Sequence, residues 1–216
     1  MIEAIVFDMD GLLVDSEPLW QRARIEACGA DRLRWTDTDQ QRIQGSSTMF
    51  WANYLAERLN HDYTVEEIIE RVISQMEAYY REAVPWLPGA RDAVERVRGH
   101  YALGLASGAP YRLIYAVLDS AGWRDAFSEV LSSDDMPRGK PAPDVYLEIA
   151  RRMGVLPERI AIFEDSGNGI LSGHAAGVKV IAVPSAYHGP SAEALAQADL
   201  VLDSLADFRL DMLESL

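Results

Sequence analysis

Short apolar runs recur along this chain and alternate with segments of helical periodicity. Most of the runs are rich in β-branched residues, which favours strands buried on both faces of a sheet. They occupy residues 4–7, 103–106, 130–131, 160–163, 178–183 and 200–202. Strands that alternate with helices predict an open parallel sheet with helices on both faces. We therefore expect an α/β fold with a doubly wound, Rossmann-like core.

The long segment after the first strand contains helical patterns and no strand candidate. Thr64, with Glu67 three residues later, forms the capping-box pattern that opens a helix. We predict an inserted all-helical cap at residues 15–85 and a core domain made of residues 1–14 and 86–216.

Polar side chains stand where three of the predicted strands end. Asp8 and Asp10 follow the first strand, Ser107 follows the second, and Glu164 and Asp165 follow the fourth. Ligands of open α/β sheets bind at the carboxyl ends of the strands. These side chains are therefore expected to converge on one site, with the cap lying over it.

The acidic residues of this group predict a metal site. Carboxylates buried together are unfavourable unless a cation lies between them, and Mg²⁺ prefers oxygen ligands. The expected ligands are Asp8, Asp10, Asp165 and Glu164, with Glu164 either a direct ligand or a neighbour of one. The alternatives are a solvated turn at the first pair and a helix N-cap at Asp165 or Ser166.

A phosphate-binding group is predicted from Lys140, Ser107 and Gly108. Lys140 is one of only two lysines in the chain and lies in a proline-stiffened loop. Its ammonium suits both a phosphoryl oxygen and a carboxylate. A hydroxyl and a glycine-loop amide also bind phosphoryl oxygens. The alternatives are an exposed loop lysine and an ordinary Ser-Gly loop.

Four segments resemble, in order and spacing, the motifs of haloacid-dehalogenase-like hydrolases. They are Phe7-Asp8-Met9-Asp10-Gly11-Leu12-Leu13-Val14-Asp15-Ser16-Glu17, Leu105-Ala106-Ser107-Gly108, Gly139-Lys140-Pro141-Ala142-Pro143-Asp144 and Glu164-Asp165-Ser166-Gly167-Asn168-Gly169. The helical cap is similar to that of the subgroup holding β-phosphoglucomutase, sugar-phosphate phosphatases and phosphoglycolate phosphatases.

The resemblance implies a magnesium-dependent phosphatase acting on a small phosphorylated metabolite, above all a sugar phosphate. Asp8 would attack phosphorus to give an aspartyl-phosphate, and Asp10 would protonate the leaving oxygen and then activate water. Asp8, the backbone carbonyl of Asp10 and Asp165 would hold Mg²⁺. Ser107 and Lys140 would stabilise the transferring group. Phosphoryl transfer depends on such positioning and charge neutralisation.

A phosphosugar mutase remains the alternative. Its cap carries an arginine shortly after a Lys-Gly pair and a histidine in the first cap helix, whereas this chain has Gln44-Gly45 and Trp20 there. Hydrolysis is therefore favoured, although Arg22, Arg24 or Arg42 could substitute for the missing clamp.

Two other relatives and one binding module fit less well. Dehalogenases of the superfamily lack the second aspartate, which is present as Asp10, and phosphonate-cleaving members need a cap lysine that this chain lacks. A non-catalytic phospho-accepting domain has no cap and places its acceptor on a later strand.

The cap offers candidates for substrate recognition at Gln44, Gly45, Ser46 and Ser47. Trp51 belongs to the same stretch. The alternative is a plain helix junction with Trp51 in the core of the cap.

The net charge of -14 disfavours nucleic acid and anionic membranes as partners. The single cysteine, Cys28, and the absence of a long apolar run fit a cytoplasmic protein. We expect a monomer or a weak homodimer.

Overall fold

The computed structural model describes residues 1–27, 29, 35–43, 46–185 and 189–216. Its strands are β1 (Ala4–Phe7), β2 (Ala102–Ser107), β3 (Phe127–Ser132), β4 (Ile160–Glu164), β5 (Lys179–Ala182) and β6 (Leu200–Val201). They form one sheet in the order β3-β2-β1-β4-β5-β6, and each neighbouring pair is parallel.

Helices cover both faces of this sheet and also form the cap. The cap helices are α1 (Glu17–Ala27), α2 (Asp37–Ile43), α3 (Thr48–Arg58) and α4 (Val65–Glu82). The helices of the core are α5 (Ala90–Val97), α6 (Tyr111–Ala121), α7 (Asp144–Met153), α8 (Gly167–Ala176) and α9 (Ala192–Leu195). The described residues between α1 and α4 contain no strand, which confirms the predicted all-helical cap.

Alternate residues of β1 face two separate hydrophobic layers. Val6 packs in one layer with Ile149 of α7, whereas Ile5 packs in the other with Val94 of α5. This alternation follows from the two-residue period of a strand. Both faces of the sheet are buried, so the doubly wound α/β fold is confirmed.

The cap packs around α4. The capping box is present, because the Thr64 hydroxyl accepts from the Glu67 backbone N–H at 3.2 Å and Glu67 Oε2 accepts from the Thr64 N–H at 2.9 Å. Apolar side chains of α4 lie on one face, as its helical spacing requires, and pack against α1 and α3.

The two connections between cap and core run side by side. Val14 forms an antiparallel bridge with Trp86. The backbone N–H of Asp15 donates to Pro85 at 2.8 Å, and that of Leu87 donates to Leu13 at 2.9 Å. The predicted domain boundaries lie at this double crossing and stay a prediction. No helix in the described part of the chain is long and apolar enough to cross a bilayer.

Candidate active site

The strand order places the predicted site residues at one edge of the sheet. Phe7 of β1 pairs with Leu105 of β2 on one side and with Phe163 of β4 on the other. The residue after Phe7 is Asp8, whose N–H donates to the Phe163 carbonyl at 3.0 Å. The order of the sheet reverses between β1 and β4, which is where open α/β sheets bind ligands.

Three carboxylates meet at this edge. One oxygen each from Asp8, Glu164 and Asp165 lies within 4.8 Å of the others, and all three side chains are buried. Burial raises the pKa of Asp8 to about 7 against the opposing charge of Lys140. Burial, together with the charges of Asp8 and Glu164, also raises the pKa of Asp165. The cluster therefore needs positive charge to stay ionised.

Lys140 supplies one such charge. Its Nζ donates to Asp8 Oδ1 at 2.7 Å, to Glu164 Oε1 at 2.5 Å and to the Ala106 carbonyl at 3.2 Å. Burial by itself would lower the pKa of Lys140, but the two carboxylates together raise it well above its usual value. The predicted phosphate cation is thus brought to the acidic cluster, and the exposed-loop alternative for Lys140 is wrong.

Asp10 lies beside the cluster and takes hydrogen bonds from both domains. The Ser107 hydroxyl donates to Asp10 Oδ2 at 3.1 Å, and the Trp20 indole of the cap donates to Asp10 Oδ1 at 3.2 Å. Burial raises the pKa of Asp10, while hydrogen bonds from Ser16, Trp20 and Ser107 oppose that rise. A carboxyl with a raised pKa is a candidate for general acid and base catalysis.

A cavity of about 880 Å³ opens above these groups, between core and cap. Its core side is lined by Asp8, Asp10, Gly108, Lys140 and Asp165. Cap side chains line it too, namely Trp20, Arg24, Ser46, Ser47 and Trp51. The volume is in the range of small-molecule sites.

The acidic cluster fits a magnesium ion. All its donors are carboxylate oxygens, the ligand type of a hard divalent cation. A Cβ added to Gly11, whose φ is +81°, would lie 2.2 Å from Asp165 Oδ2, so only glycine lets this carboxylate approach the turn after β1. Ser166, and not Asp165, caps α8, since its hydroxyl accepts from the Gly169 N–H at 3.0 Å. Asp165 is left available to a cation.

Residues 2–177 match the family described as haloacid dehalogenase-like hydrolase. The chain belongs to this family.

Several relatives of this hydrolase span nearly the same length. It is 37% identical over 215 residues to hexitol phosphatase B of Escherichia coli K12, covering 95% of this chain and 94% of the relative. It is 31% identical to the phosphorylated carbohydrates phosphatase of Thermotoga maritima, covering 83% of this chain and 84% of the relative. The crystal structure of CbbY from Rhodobacter sphaeroides with phosphate has a TM-score of 0.82 at 29% identity, covering 96% of each chain.

The family and the shared activity in the relatives' names confirm the predicted hydrolase of phosphate esters and the sugar-phosphate subgroup. The roles of individual residues in this hydrolase stay predictions.

Two of the four predicted substrate-contacting residues of the cap lie among the described residues. Ser46 and Ser47 line the cavity, whereas Gln44 and Gly45 lie outside the described residues. The Ser46 hydroxyl donates to the Ile43 carbonyl at 2.6 Å, and Ser47 caps α3. Trp51 is 2% exposed and lies in the hydrophobic core of the cap as well as at the cavity wall. The alternative, Trp51 in the core of the cap, is therefore confirmed, whereas a contact between this stretch and the substrate stays a prediction.

Sequence reasoning missed two residues that hold the hydrolase's acidic groups in place. Tyr146 lies on α7, and its hydroxyl donates to Glu164 Oε1. In the sequence it has the spacing of an ordinary residue on the apolar face of a helix. Trp20 reads as a helix core residue but donates to Asp10 across the domain boundary. Neither carries a local signal, because each partner is distant in sequence or lies on another domain.

Proposed function

We propose that this hydrolase is a magnesium-dependent phosphatase that acts on a sugar or polyol phosphate through a phosphorylated Asp8. One observation carries the proposal: Asp8 lies at the base of a capped cavity, in contact with Lys140 and beside Asp165. The names of the hexitol and carbohydrate phosphatases support the substrate class.

The chain's own residues account for the two halves of the reaction. Asp8 oxygen bonds to phosphorus as the ester P–O bond breaks, and Asp10 gives its proton to the departing oxygen. Water then attacks the aspartyl-phosphate, Asp10 takes a proton from it, and phosphate leaves with Asp8 restored. Lys140 offsets the negative charge that Asp8 and the phosphoryl group bring together.

Asp8 and Asp165 would hold the ion, with the Asp10 backbone carbonyl that the family resemblance implies. Glu164 is better placed to hold Lys140 in position than to bind the ion, since its Oε1 already accepts from Lys140 and Tyr146. When bound, Mg²⁺ neutralises charge on the transferring phosphoryl oxygens.

Removing metal is expected to stop the reaction. EDTA treatment should abolish release of phosphate, and added Mg²⁺ should restore it. Mg²⁺ should also raise the Tm, because an ion that binds only the folded acidic cluster stabilises it. NaCl at matched ionic strength is the control for general screening. Full turnover by metal-free protein would contradict the site.

Asp10→Asn tests the proton-transfer role. An alkyl alkoxide leaves poorly without a proton, whereas p-nitrophenolate is stable as an anion. The substitution should lower kcat/KM for sorbitol 6-phosphate by about 10²–10⁴-fold. For p-nitrophenyl phosphate we compare the first half-reaction, in which Asp8 is phosphorylated, and measure its rate as the burst of p-nitrophenolate. The substitution should slow this step by a factor at least tenfold smaller than the loss on sorbitol 6-phosphate. Equal losses on both substrates would assign Asp10 a merely structural role.

Product analysis separates the phosphatase from the mutase alternative. A panel of sugar and polyol phosphates should give inorganic phosphate in step with substrate loss. β-Glucose 1-phosphate converted to an isomeric phosphate, without phosphate release, would favour the mutase.

The cytoplasmic location and the monomer or weak homodimer stay predictions.

A further inference from the structure

Arg24 is a cap residue whose charge the reaction does not use. It lies on α1, one helical turn after Trp20, and lines the cavity that holds Asp8 and Asp10. Its side chain is only 5% exposed. Charged side chains are rarely buried to this extent unless they are paired or bind something.

The hydrogen-bonding capacity of Arg24 is not satisfied by the described residues. Its Nε and Nη1 are buried and have no hydrogen-bond partner among them. The nearest carboxylate oxygen paired with it, Glu17 Oε1, lies 3.7 Å from Nη1, which is too far for a good hydrogen bond. Burial lowers the pKa of Arg24 to about 10, although Glu17 and Asp10 oppose this. The guanidinium is thus desolvated with donors to spare.

Two tryptophans hold the guanidinium in position. Its carbon lies 5.2 Å from the ring centroid of Trp20 and 5.6 Å from that of Trp51. A guanidinium fixed against aromatic rings loses less conformational freedom when it forms hydrogen bonds. Arg24 is therefore preorganised at the wall of the cavity that also holds Asp8 and Lys140.

We propose that Arg24 is a specificity-determining residue that donates hydrogen bonds to hydroxyl oxygens on the carbon chain of the substrate, away from the transferred phosphoryl group. The inference rests on the proposed function and names how its substrate is recognised. Because Nε and Nη1 are buried in this structure, the proposal requires the cap to shift when a substrate enters, so that these donors reach the substrate oxygens.

The charges around the cavity favour neutral hydroxyls over a second anionic group. Among the described residues that line it, the basic ones are Arg24 and Lys140, and the acidic ones are Asp8, Asp10, Asp134 and Asp165. Lys140 is already paired with Asp8 and Glu164, and Arg24 has Glu17 nearby. A second anion would add repulsion, whereas a hydroxyl accepts from the guanidinium without adding charge.

The test compares Arg24→Met with wild type on sorbitol 6-phosphate and p-nitrophenyl phosphate. Arg24→Met should lower kcat/KM for sorbitol 6-phosphate by about 10–100-fold, mainly through KM, because the hydrogen bonds of a charged donor are lost. The loss on p-nitrophenyl phosphate, which has no hydroxyls, should be at least tenfold smaller. Arg24→Lys, which keeps the charge but not the planar fork, should give an intermediate loss.

Arg22→Met is the matched control. Arg22 was a candidate for the clamp, but it is not among the described residues that line the cavity. Its side chain is 61% exposed on the same helix and pairs with Glu26 at 2.7 Å. It should behave as wild type on both substrates. The Tm of each variant checks the fold, and Arg24→Lys decides the question if Arg24→Met does not fold.

Three results would overturn the inference. Equal losses on the two substrates would make Arg24 a support for Trp20 and Asp10. A wild-type preference for 6-phosphogluconate over sorbitol 6-phosphate that disappears in Arg24→Met would make it an anion subsite. Wild-type protein that hydrolyses p-nitrophenyl phosphate but none of the sugar or polyol phosphates would remove the substrate class while leaving the phosphatase intact. Without turnover of any phosphate ester, the proposed function fails first.

Discussion

Replacing Asp8 with asparagine is expected to lower kcat on p-nitrophenyl phosphate by about 10⁴-fold or more, the scale seen when a catalytic nucleophile is removed. Asparagine has nearly the shape of aspartate, but its amide is a much weaker nucleophile. The amide oxygen can still accept from Lys140, whose Nζ lies 2.7 Å from Asp8 Oδ1. The fold should therefore persist, as circular dichroism and the Tm will show.

Asp92→Asn is the control, because it removes the same charge from an exposed position on α5. It should retain wild-type kcat. Acid quenching during turnover, followed by peptide mass spectrometry, should find a phosphoryl group on the peptide containing Asp8 in wild type and in Asp92→Asn. Full activity in Asp8→Asn, or the phosphoryl group on another residue, would refute the nucleophile.

Replacing Lys140 with methionine is expected to impair both stability and catalysis. The change leaves the buried Asp8 and Glu164 carboxylates without their shared cation, and breaking such a buried pair costs about 3–5 kcal/mol. kcat should fall by about 10²–10³-fold, since a preorganised positive group next to the phosphoryl group is lost. Urea unfolding in metal-free buffer measures the free energy of unfolding. Added Mg²⁺ should restore part of it by replacing the missing charge.

The other lysine provides the matched control. Lys179 Nζ lies 3.0 Å from Asp199 Oδ1 at the surface, and its side chain is 33% exposed. Such surface pairs contribute about 0–1 kcal/mol, so Lys179→Met should be close to wild type in stability and activity. If the two lysine variants lost stability equally, Lys140 would have no special place in the acidic cluster.

The main elements of the fold followed from local patterns. The apolar runs before Asp8, Ser107 and Glu164 became β1, β2 and β4, and the Thr64 capping box opened α4. Local patterns predicted the ends of the strands less well. β3 extends over Phe127–Ser132 rather than the two predicted residues, because backbone pairing with β2 draws polar residues into the strand. The short helix α5 was not predicted, although its buried residues have helical spacing.

The candidate site was predicted in its chemistry more than in its contacts. Asp8 and Asp165 stood out because their carboxylates follow strands and suit a cation. Lys140 stood out because lysine is scarce in this chain and its loop is stiffened by prolines. The shared use of Lys140 by Asp8 and Glu164 was not visible, since the partners are 132 and 24 residues away. Gln44 and Gly45 fall outside the described residues, so their predicted role stays open to the substrate tests.

The sequence by itself determined which groups end each strand, because a strand's residues and its turn are adjacent along the chain. It thereby specified the acidic residues, the scarce lysine and the helical insertion. The tertiary structure decided which of these groups touch. The order of the strands brings β4 beside β1, and the packing of the cap turns Trp20 toward Asp10 and Arg24 toward the cavity. Such contacts depend on long-range packing, which the periodicity of a single segment does not encode.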